Sequence, residues 1–528
     1  MPAGGYINLN CVKKILIRTG IGIIVILLIG LIYGYSQLKD RHPGYEIDLS
    51  IKAGQPGSVR IGFSKKDITP HGFDTWTDTN GDSKYDRKDG DSFNDLNGNG
   101  KFDAVWMAGF HQGRPANGVN DPLWARAMVV DDGRHRLALC VIDMMGFGHD
   151  DVVNARKRIK ASLGLDYVII ASTHVHSSPD LMGMWGSGVL KRGTDDQYLE
   201  TVTNQVVAAV EEAYQSARPA RLKFAEDLSA AIPLVGDSRP PKVLDAGIRL
   251  MQAVDLETGK TIGTLLNWGN HPETLWSGNV MLTSDFPHYY RKYLEEGVYK
   301  GDSLAEEGTG GIALFANGAV GGLMTTRPPD TIYHPLTQKV LTGATFEKAE
   351  AQGMALALIS LKALRSDAAE AVDSAAIGVR ARTIALKVEN KLFRLAGFLG
   401  IFKRGYVKRR HLRSEVAVWS LGPAAFVHVP GELYPEILNG GVEAPDGGDF
   451  GLQPVEVPSI RELMKHRYKF FVGLSNDEVG YIIPKSQWDT RSPYTYGRDK
   501  GPYGEVNSLG PETAPVIYRS VAELLKDL

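Results

Sequence analysis

The chain has 528 residues, 43% of them hydrophobic and 23% charged, enough apolar material to bury a sizeable core in one large domain or several smaller ones. Its 59 lysines and arginines nearly balance its 61 aspartates and glutamates, so nothing in the charge calls for nucleic acid as a partner. Two cysteines, Cys11 and Cys140, are too few for a disulfide framework or a cysteine metal site.

The first element is an apolar run from Thr19 to Tyr35, preceded by Lys13, Lys14 and Arg18. A bilayer core takes roughly 17–25 apolar residues as helix. We read residues 15–36 as a transmembrane signal anchor and residues 1–14 as an inner-side tail. The positive flank predicts a body outside the cytoplasm, periplasmic or extracellular. A cleaved signal peptide is the rival reading, although "YGYSQLKDRH" offers no small-residue cleavage site. The two cysteines then lie on opposite sides of the membrane. Residues 37–58, with Pro and Gly and no helical period, predict a linker.

An acidic insertion follows at about 74–104. Its two loops, "DTNGDSKYD" and "DLNGNGKFD", place oxygen-bearing side chains at the first, third, fifth and ninth positions. The residues are Asp78, Asn80, Asp82 and Asp86, then Asp95, Asn97, Asn99 and Asp103. Calcium takes 6–8 oxygens, and this spacing folds several around one ion. Neither loop has the Glu that completes an EF-hand. The alternative is an Asx-rich surface loop without metal.

Further on, strands and helices alternate. "HRLALCVIDMMG" (135–146) predicts a strand, 149–164 a helix capped by Asp150 or Asp151 and stopped by Gly164, and "DYVIIAS" (166–172) a parallel strand. Longer helices are expected at about 195–217 and 344–366, and strands at 261–268, 311–317, 424–429 and 468–474. The fold class is α/β: a single large domain over 59–528, with a mixed, mostly parallel sheet flanked by helices. The basic, aromatic stretch at 390–411 reads either as a solvated loop or helix, or as a patch meeting a membrane or an apolar substrate.

The strand over 166–172 runs into "THVHSSPD". Side chains at i and i+2 of extended chain face the same way, so His174 and His176 point together just past a strand end. Ligands bind at the carboxyl edge of open α/β sheets. Other strand ends deliver His271, Glu432, Tyr481 and Asp143, and "FANGAVGG" ends in a glycine-rich loop. Two His and a carboxylate are a common zinc set, and an open position on such an ion activates water. Histidines after strands are also often just hydrogen-bonded.

Seven pieces occur in an order that resembles the neutral/alkaline ceramidases, zinc-dependent N-acylsphingosine amidohydrolases, over about Val59 to Pro515. They are "GFSKKDITP", "GVNDPLWARAMVVDD", "STHVHSSPD", "NWGNHPETLWSGNVMLTSDFPHYY", "VPGELYPE", "GLSNDEVGY" and "YGEVNSLGPETA". The resemblance implies zinc held by His174, His271, Glu432 and Tyr481. It implies that His176 meets the reacting group and that Tyr503 steadies the carbonyl oxygen. The family's Gly-Asp-x-Ser-Pro-like loop stands here as "ANGAVGGLMTT", without serine. Gly322 or Met324 takes the expected place, with Thr325 and Thr326 nearby. The family's C-terminal immunoglobulin-like domain has no counterpart in the sequence, and the acidic insertion is extra.

The expected function is therefore a membrane-anchored zinc hydrolase of an amide in an N-acyl lipid such as a ceramide. The alternatives are a calcium-binding surface protein that keeps the fold without the chemistry, and a hydrolase of esters.

Overall fold

Most long strands of this chain are apolar on both faces, which demands cover on both sides. The computed structural model, which describes residues 9–322, 324–327 and 330–528, meets that demand with two sheets stacked face to face and helices outside each. The strand Arg136–Ile142 shows the rule. Leu137, Leu139 and Val141 enter the core between the sheets, while Ala138, Cys140 and Ile142 face the helix layer.

The larger sheet has ten strands. Its main path runs Ile312–Asn317, Thr261–Trp268, Ile248–Asp255, Arg218–Asp227, Gly57–Asp67, Trp124–Asp131, Arg136–Ile142 and Tyr167–Ser172. The second, of six strands, runs Asp48–Ile51, Ile377–Lys387, His411–Leu421, Ala424–His428 and Tyr468–Val472, with Tyr406–Lys408 on the side of His411–Leu421. Both are mixed, but antiparallel pairs predominate, which corrects the expectation of one mostly parallel sheet. The parallel pairs along the two paths are Arg136–Ile142 with Tyr167–Ser172, Thr261–Trp268 with Ile312–Asn317, and Ala424–His428 with Tyr468–Val472. The first is the predicted βαβ unit. Elsewhere short turns such as "LETGK" and "DGRH" fold neighbours back as hairpins.

Helices Asp196–Gln215 and Phe346–Arg365 form where expected. Asp195 caps the first by accepting the Gln197 and Tyr198 N–H groups, and Thr345 caps the second by accepting that of Lys348. The helix expected at 149–164 is shorter, His149–Arg158. A separate 3-10 turn, Ala161–Leu163, is what Gly164 closes, at φ 59°. On the outer face of the second sheet Thr513–Lys526 buries Ile517, Val521 and Leu524.

Residues 37–58 are more than a linker. Asp48–Ile51 pairs with Val379–Arg382, and the Asp40 carboxylate meets the Arg413 guanidinium at 2.9 Å. The N-terminal helix is Leu9–Gln37, and its Lys13–Gln37 stretch is long and apolar enough to cross a bilayer. Part of the expected inner-side tail, residues 1–8, lies outside the described residues, as does the side chain of Cys11.

The two sheets are tied at the end where the parallel strands finish. Asn267 donates to Phe471 O (2.7 Å) and accepts from Phe471 N–H (3.0 Å), one amide bridging the sheets. Asn476 accepts from Ile170 N–H (3.0 Å) on the edge strand Tyr167–Ser172.

Candidate metal centre

Three loops meet at that end, and one buried side chain joins them. Asn317 donates to Thr173 O and Asn270 O, both at 2.9 Å, and accepts from Asn270 N–H at 3.1 Å. This fixes the chain just before His174 and just before His271.

The imidazoles of His174 and His271 lie with ring centroids 4.9 Å apart. His176 joins them, at 4.9 Å from His174 and 5.6 Å from His271. All three are buried, and one ring nitrogen of each falls within 4.8 Å of the others. The pairing of His174 with His176 does not come from extended chain, as the i, i+2 argument assumed. His174 has φ 67°, a left-handed turn just beyond the strand.

Each ring is oriented from behind. Nδ1 of His174 meets Met145 O at 2.7 Å, and Nδ1 of His271 meets Met324 O at 2.8 Å. A carbonyl can only accept, so both Nδ1 atoms carry the proton and both Nε2 atoms are left with a lone pair. Those Nε2 atoms converge on Glu432 Oε2, at 3.5 Å from His174 and 3.0 Å from His271. Burial opposes a charge on His174, but the Glu432 carboxylate outweighs it and raises its pKa above the ordinary histidine value. Burial likewise pushes Glu432 up, and the two histidines more than reverse this, so the carboxyl stays ionised. Two imidazole lone pairs and a carboxylate at such distances are donors of the kind a divalent transition ion takes.

His176 is held differently. Its Nδ1 lies 3.1 Å from Glu273 Oε2 as a charge neighbour, and neither of its buried ring nitrogens has a hydrogen-bond partner. Burial lowers its pKa to about 4 against the pull of Glu273, so the ring is neutral at pH 7. Burial would raise Glu273, but His176 above all brings it down to about 2.

A cavity of about 80 Å³ opens over this cluster. Met145, Met182, Met184, Trp185, Phe393 and Phe402 give it apolar walls, and Tyr481 and Tyr503 line it beside Glu432. Tyr481 pairs with Glu432 across a short parallel bridge and faces Tyr503 edge-on at 5.8 Å. Tyr503 is 55% exposed, but desolvation at the cavity wall, then Glu432 and Glu273, push its phenol up to about 12, so it keeps its proton as a donor. Glu478 also lines the cavity. Burial and the neighbouring Glu432 charge raise its pKa well above the carboxylate range, so it too holds a proton.

Other residues singled out in the sequence lie elsewhere. Asp143 forms a buried double contact with Arg291, both distances 2.8 Å, and supports the fold. Glu432, within the cluster, is held by the two-residue strand Glu432–Leu433 ahead of helix Pro435–Asn439. Thr326 accepts from Asn270 and Gln352 and donates to Leu234 O, which fixes the loop and takes the hydroxyl out of the chemistry. Among the described residues no serine, threonine or cysteine lines the cavity.

The acidic loops are closed by their own backbone. Asp78 accepts from Gly81 and Ser83 N–H, Asn80 from Asp82, Asp82 from Lys84, and Asp86 from Lys88. Asp95 accepts from Asn99 and Gly100, Asn97 from Asn99, Asn99 from Lys101, and Asp103 from the Asn97 and Asn99 amides.

Sequence reasoning missed Glu273, Asn317 and Glu478. Glu273 stands two residues after His271 in "HPE", a spacing that could have marked it. Asn317 carried no signal beyond ending a strand.

Fold and site together define a four-layer α/β/β/α protein with a buried imidazole–carboxylate cluster at the floor of an apolar cavity. No family model matches the sequence and no curated protein matches it. Among solved structures, the neutral ceramidase from Pseudomonas aeruginosa superposes with a TM-score of 0.62 at 16% identity, over 89% of this chain and 74% of that one. A structure described as ceramidase complexed with C2 gives 0.61 at 15%, over 89% and 75%. The chain has the neutral-ceramidase fold.

Proposed function

We propose that this protein is a membrane-anchored, zinc-dependent hydrolase that cleaves the amide bond of an N-acyl lipid such as a ceramide. The observation that carries the reading is the convergence of His174 and His271 Nε2 on Glu432 Oε2 beneath an apolar cavity. His174, His271, Glu432 and Tyr481 would hold the ion. Zinc there would polarise the amide carbonyl and lower the pKa of water. The likeness to ceramidases supports the substrate class, and the methionine and aromatic walls suit an acyl chain.

The chain's own residues do the rest. The acyl chain lies along the wall residues, which excludes bulk water. Tyr503 donates to the carbonyl oxygen as negative charge develops there. His176, neutral and steadied by Glu273, takes a proton from the attacking water and returns it to the departing nitrogen. Water adds to the carbonyl carbon, the C–N bond breaks, and a fatty acid and an amine result.

Lys13, Lys14 and Arg18, in the first turns of the apolar helix, support a body outside the cytoplasm, periplasmic or extracellular. Calcium belongs to the proposal as a separate, structural ion in the acidic loops. A carboxylate offers about four lone-pair sites, so the loop N–H contacts leave acceptor capacity.

The test is metal analysis of the full-length protein in detergent beside a His174→Ala, His271→Ala double variant, with fatty-acid release from ceramide followed in parallel. One zinc per chain, lost in the variant together with release, is the expected result. Wild type without zinc, or a variant that hydrolyses as well as wild type, overturns the reading.

A further inference from the structure

The stretch at 390–411 is not absorbed by the chemistry above, and its placement is informative. Asn390 caps helix Lys391–Phe398 by accepting the Leu392 and Phe393 N–H groups. One side of this helix is cavity wall: Phe393 lines the cavity and packs on Phe402, ring centroids 5.8 Å apart. The other side is bare. Leu392, Leu395 and Leu399, spaced on one helical face, are 68%, 51% and 39% exposed.

The end of this helix is seated on the N-terminal apolar helix. The Phe398 ring lies against Gly34, where a Cβ would come within 2.1 Å of it, and meets Tyr35 edge-on at 6.1 Å. Just beyond, Tyr406 N–H donates to Leu38 O at 2.9 Å. Gly34 is three residues from the end of the apolar span at Gln37, which is about 5 Å of helix rise. An interfacial helix buries its apolar face about 5–10 Å into the headgroup and acyl boundary. The contact thus sets Lys391–Phe398 at the depth where such helices lie. Around it, Lys391, Arg394, Lys408, Arg409 and Arg410 have no acidic partner among the described residues, as suits anionic headgroups.

We propose that Lys391–Phe398 is an interfacial helix lodged in the outer leaflet beside the anchor, with Leu392, Leu395 and Leu399 in the acyl region. The occupant of this exposed face is the bilayer itself. Because Phe393 on the same helix is cavity wall, the cavity takes its amphiphile sideways from the membrane, and the acyl chain never crosses water. The cargo rests on the lipid-amide reading above; the lodging of the helix does not.

The experiment uses the full chain in vesicles of phosphatidylcholine and phosphatidylglycerol, in a Cys11→Ser background that leaves buried Cys140 unreactive. An environment-sensitive fluorophore is attached at Leu395→Cys, or at Leu256→Cys in the turn at the opposite end of the larger sheet. Quenching by lipids carrying a nitroxide near the top of the acyl chain should be several-fold stronger at 395 than at 256. Equal quenching at both sites overturns the proposal. This readout needs no substrate, so its failure is distinct from failure of the hydrolase reading. In an active preparation, Leu392→Glu with Leu395→Glu should cut turnover of vesicle-embedded ceramide roughly tenfold and leave a short, water-soluble N-acyl analogue unchanged. Equal loss on both substrates overturns entry from the membrane.

Discussion

Replacing Glu273 by Gln separates the two roles open to His176, proton carrier or third histidine ligand beside His174, His271 and Glu432. The substitution keeps the size of the side chain but removes the charge. As His176 takes up a proton in the transition state, the Glu273 carboxylate 3.1 Å away stabilises the imidazolium. Coulomb's law at an effective dielectric of about 20 sets a ceiling of about 5 kcal/mol for that distance. Gln retains a side-chain dipole beside the ring and the site relaxes, so the expected loss is about half the ceiling. This corresponds to a fall in kcat of about a hundredfold, or about 2.7 kcal/mol. Zinc affinity should stay within about threefold of wild type, because His174 and His271 take their orientation from backbone carbonyls that the change does not touch. The assay is steady-state release of fatty acid at saturating zinc, alongside a competition titration of the metal with a chromophoric chelator. If zinc affinity drops about tenfold or more, in the range typical of lost second-shell partners, His176 is a metal ligand and the proton role is wrong. If kcat falls less than about threefold, the charge of Glu273 contributes nothing to the step.

Asn317→Ala removes the clamp on Thr173 and Asn270 and leaves buried carbonyl and amide groups unpaired, so it should cost about 2–4 kcal/mol of stability in urea unfolding and weaken zinc binding with it. A variant within about 0.5 kcal/mol of wild type shows that the clamp is idle. Zinc and protons compete for His174. The folded, metal-free ring has a raised pKa, so its proton is retained to higher pH than usual, and metal affinity should weaken by roughly tenfold per pH unit as pH falls through and below that value. Loss of zinc confined to pH near 4, where His176 titrates, contradicts His174 as a ligand. A calcium-selective chelator should lower Tm without stopping hydrolysis, whereas a zinc chelator should stop it; an unchanged Tm makes the loops at 78–86 and 95–103 metal-free turns.

Much of the fold was legible because it follows from local pattern. Strands such as Tyr167–Ser172 and Tyr468–Val472 are short apolar runs between turn residues, and the capped helices at 196 and 346 carry Asp195 and Thr345 at the right place. Strand direction was not local. Parallel pairing follows the helical crossovers, as between Arg136–Ile142 and Tyr167–Ser172, and extending it to the rest ignored hairpin turns such as those at 132–135 and 256–260. The site was legible at its ends and not at its joints. His174, His271 and Glu432 stand after strands, where the chain leaves the core, and polar residues there are visible in sequence. What brings His174 and His176 together is a left-handed backbone at a histidine, which no side-chain pattern announces. What orients the rings is a pair of carbonyls, Met145 and Met324, and a carbonyl has no signature in the residue that bears it.

The loop at 316–326 shows how the missing serine narrows the chemistry. At Gly322 a Cβ would approach Pro435 Cδ at 3.0 Å and Asp237 Oδ2 at 3.2 Å, so the position is packed from outside and presents no free side chain to the cavity. Met324 is fully buried, and its carbonyl accepts both Nδ1 and the backbone N–H of His271, so the loop's contribution is to hold a ligand, not to attack. The Thr326 hydroxyl is spent on three structural contacts. Of the hydroxyls that do line the cavity, the phenols of Tyr481 and Tyr503 are both pushed away from ionisation by desolvation beside Glu432, which suits a donor and disfavours a nucleophile. On the proposed reading, hydrolysis in this cavity would therefore proceed by water, with His176 as its proton acceptor. In that reading the apolar walls would decide not only which chain is bound but how few water molecules reach the carbonyl.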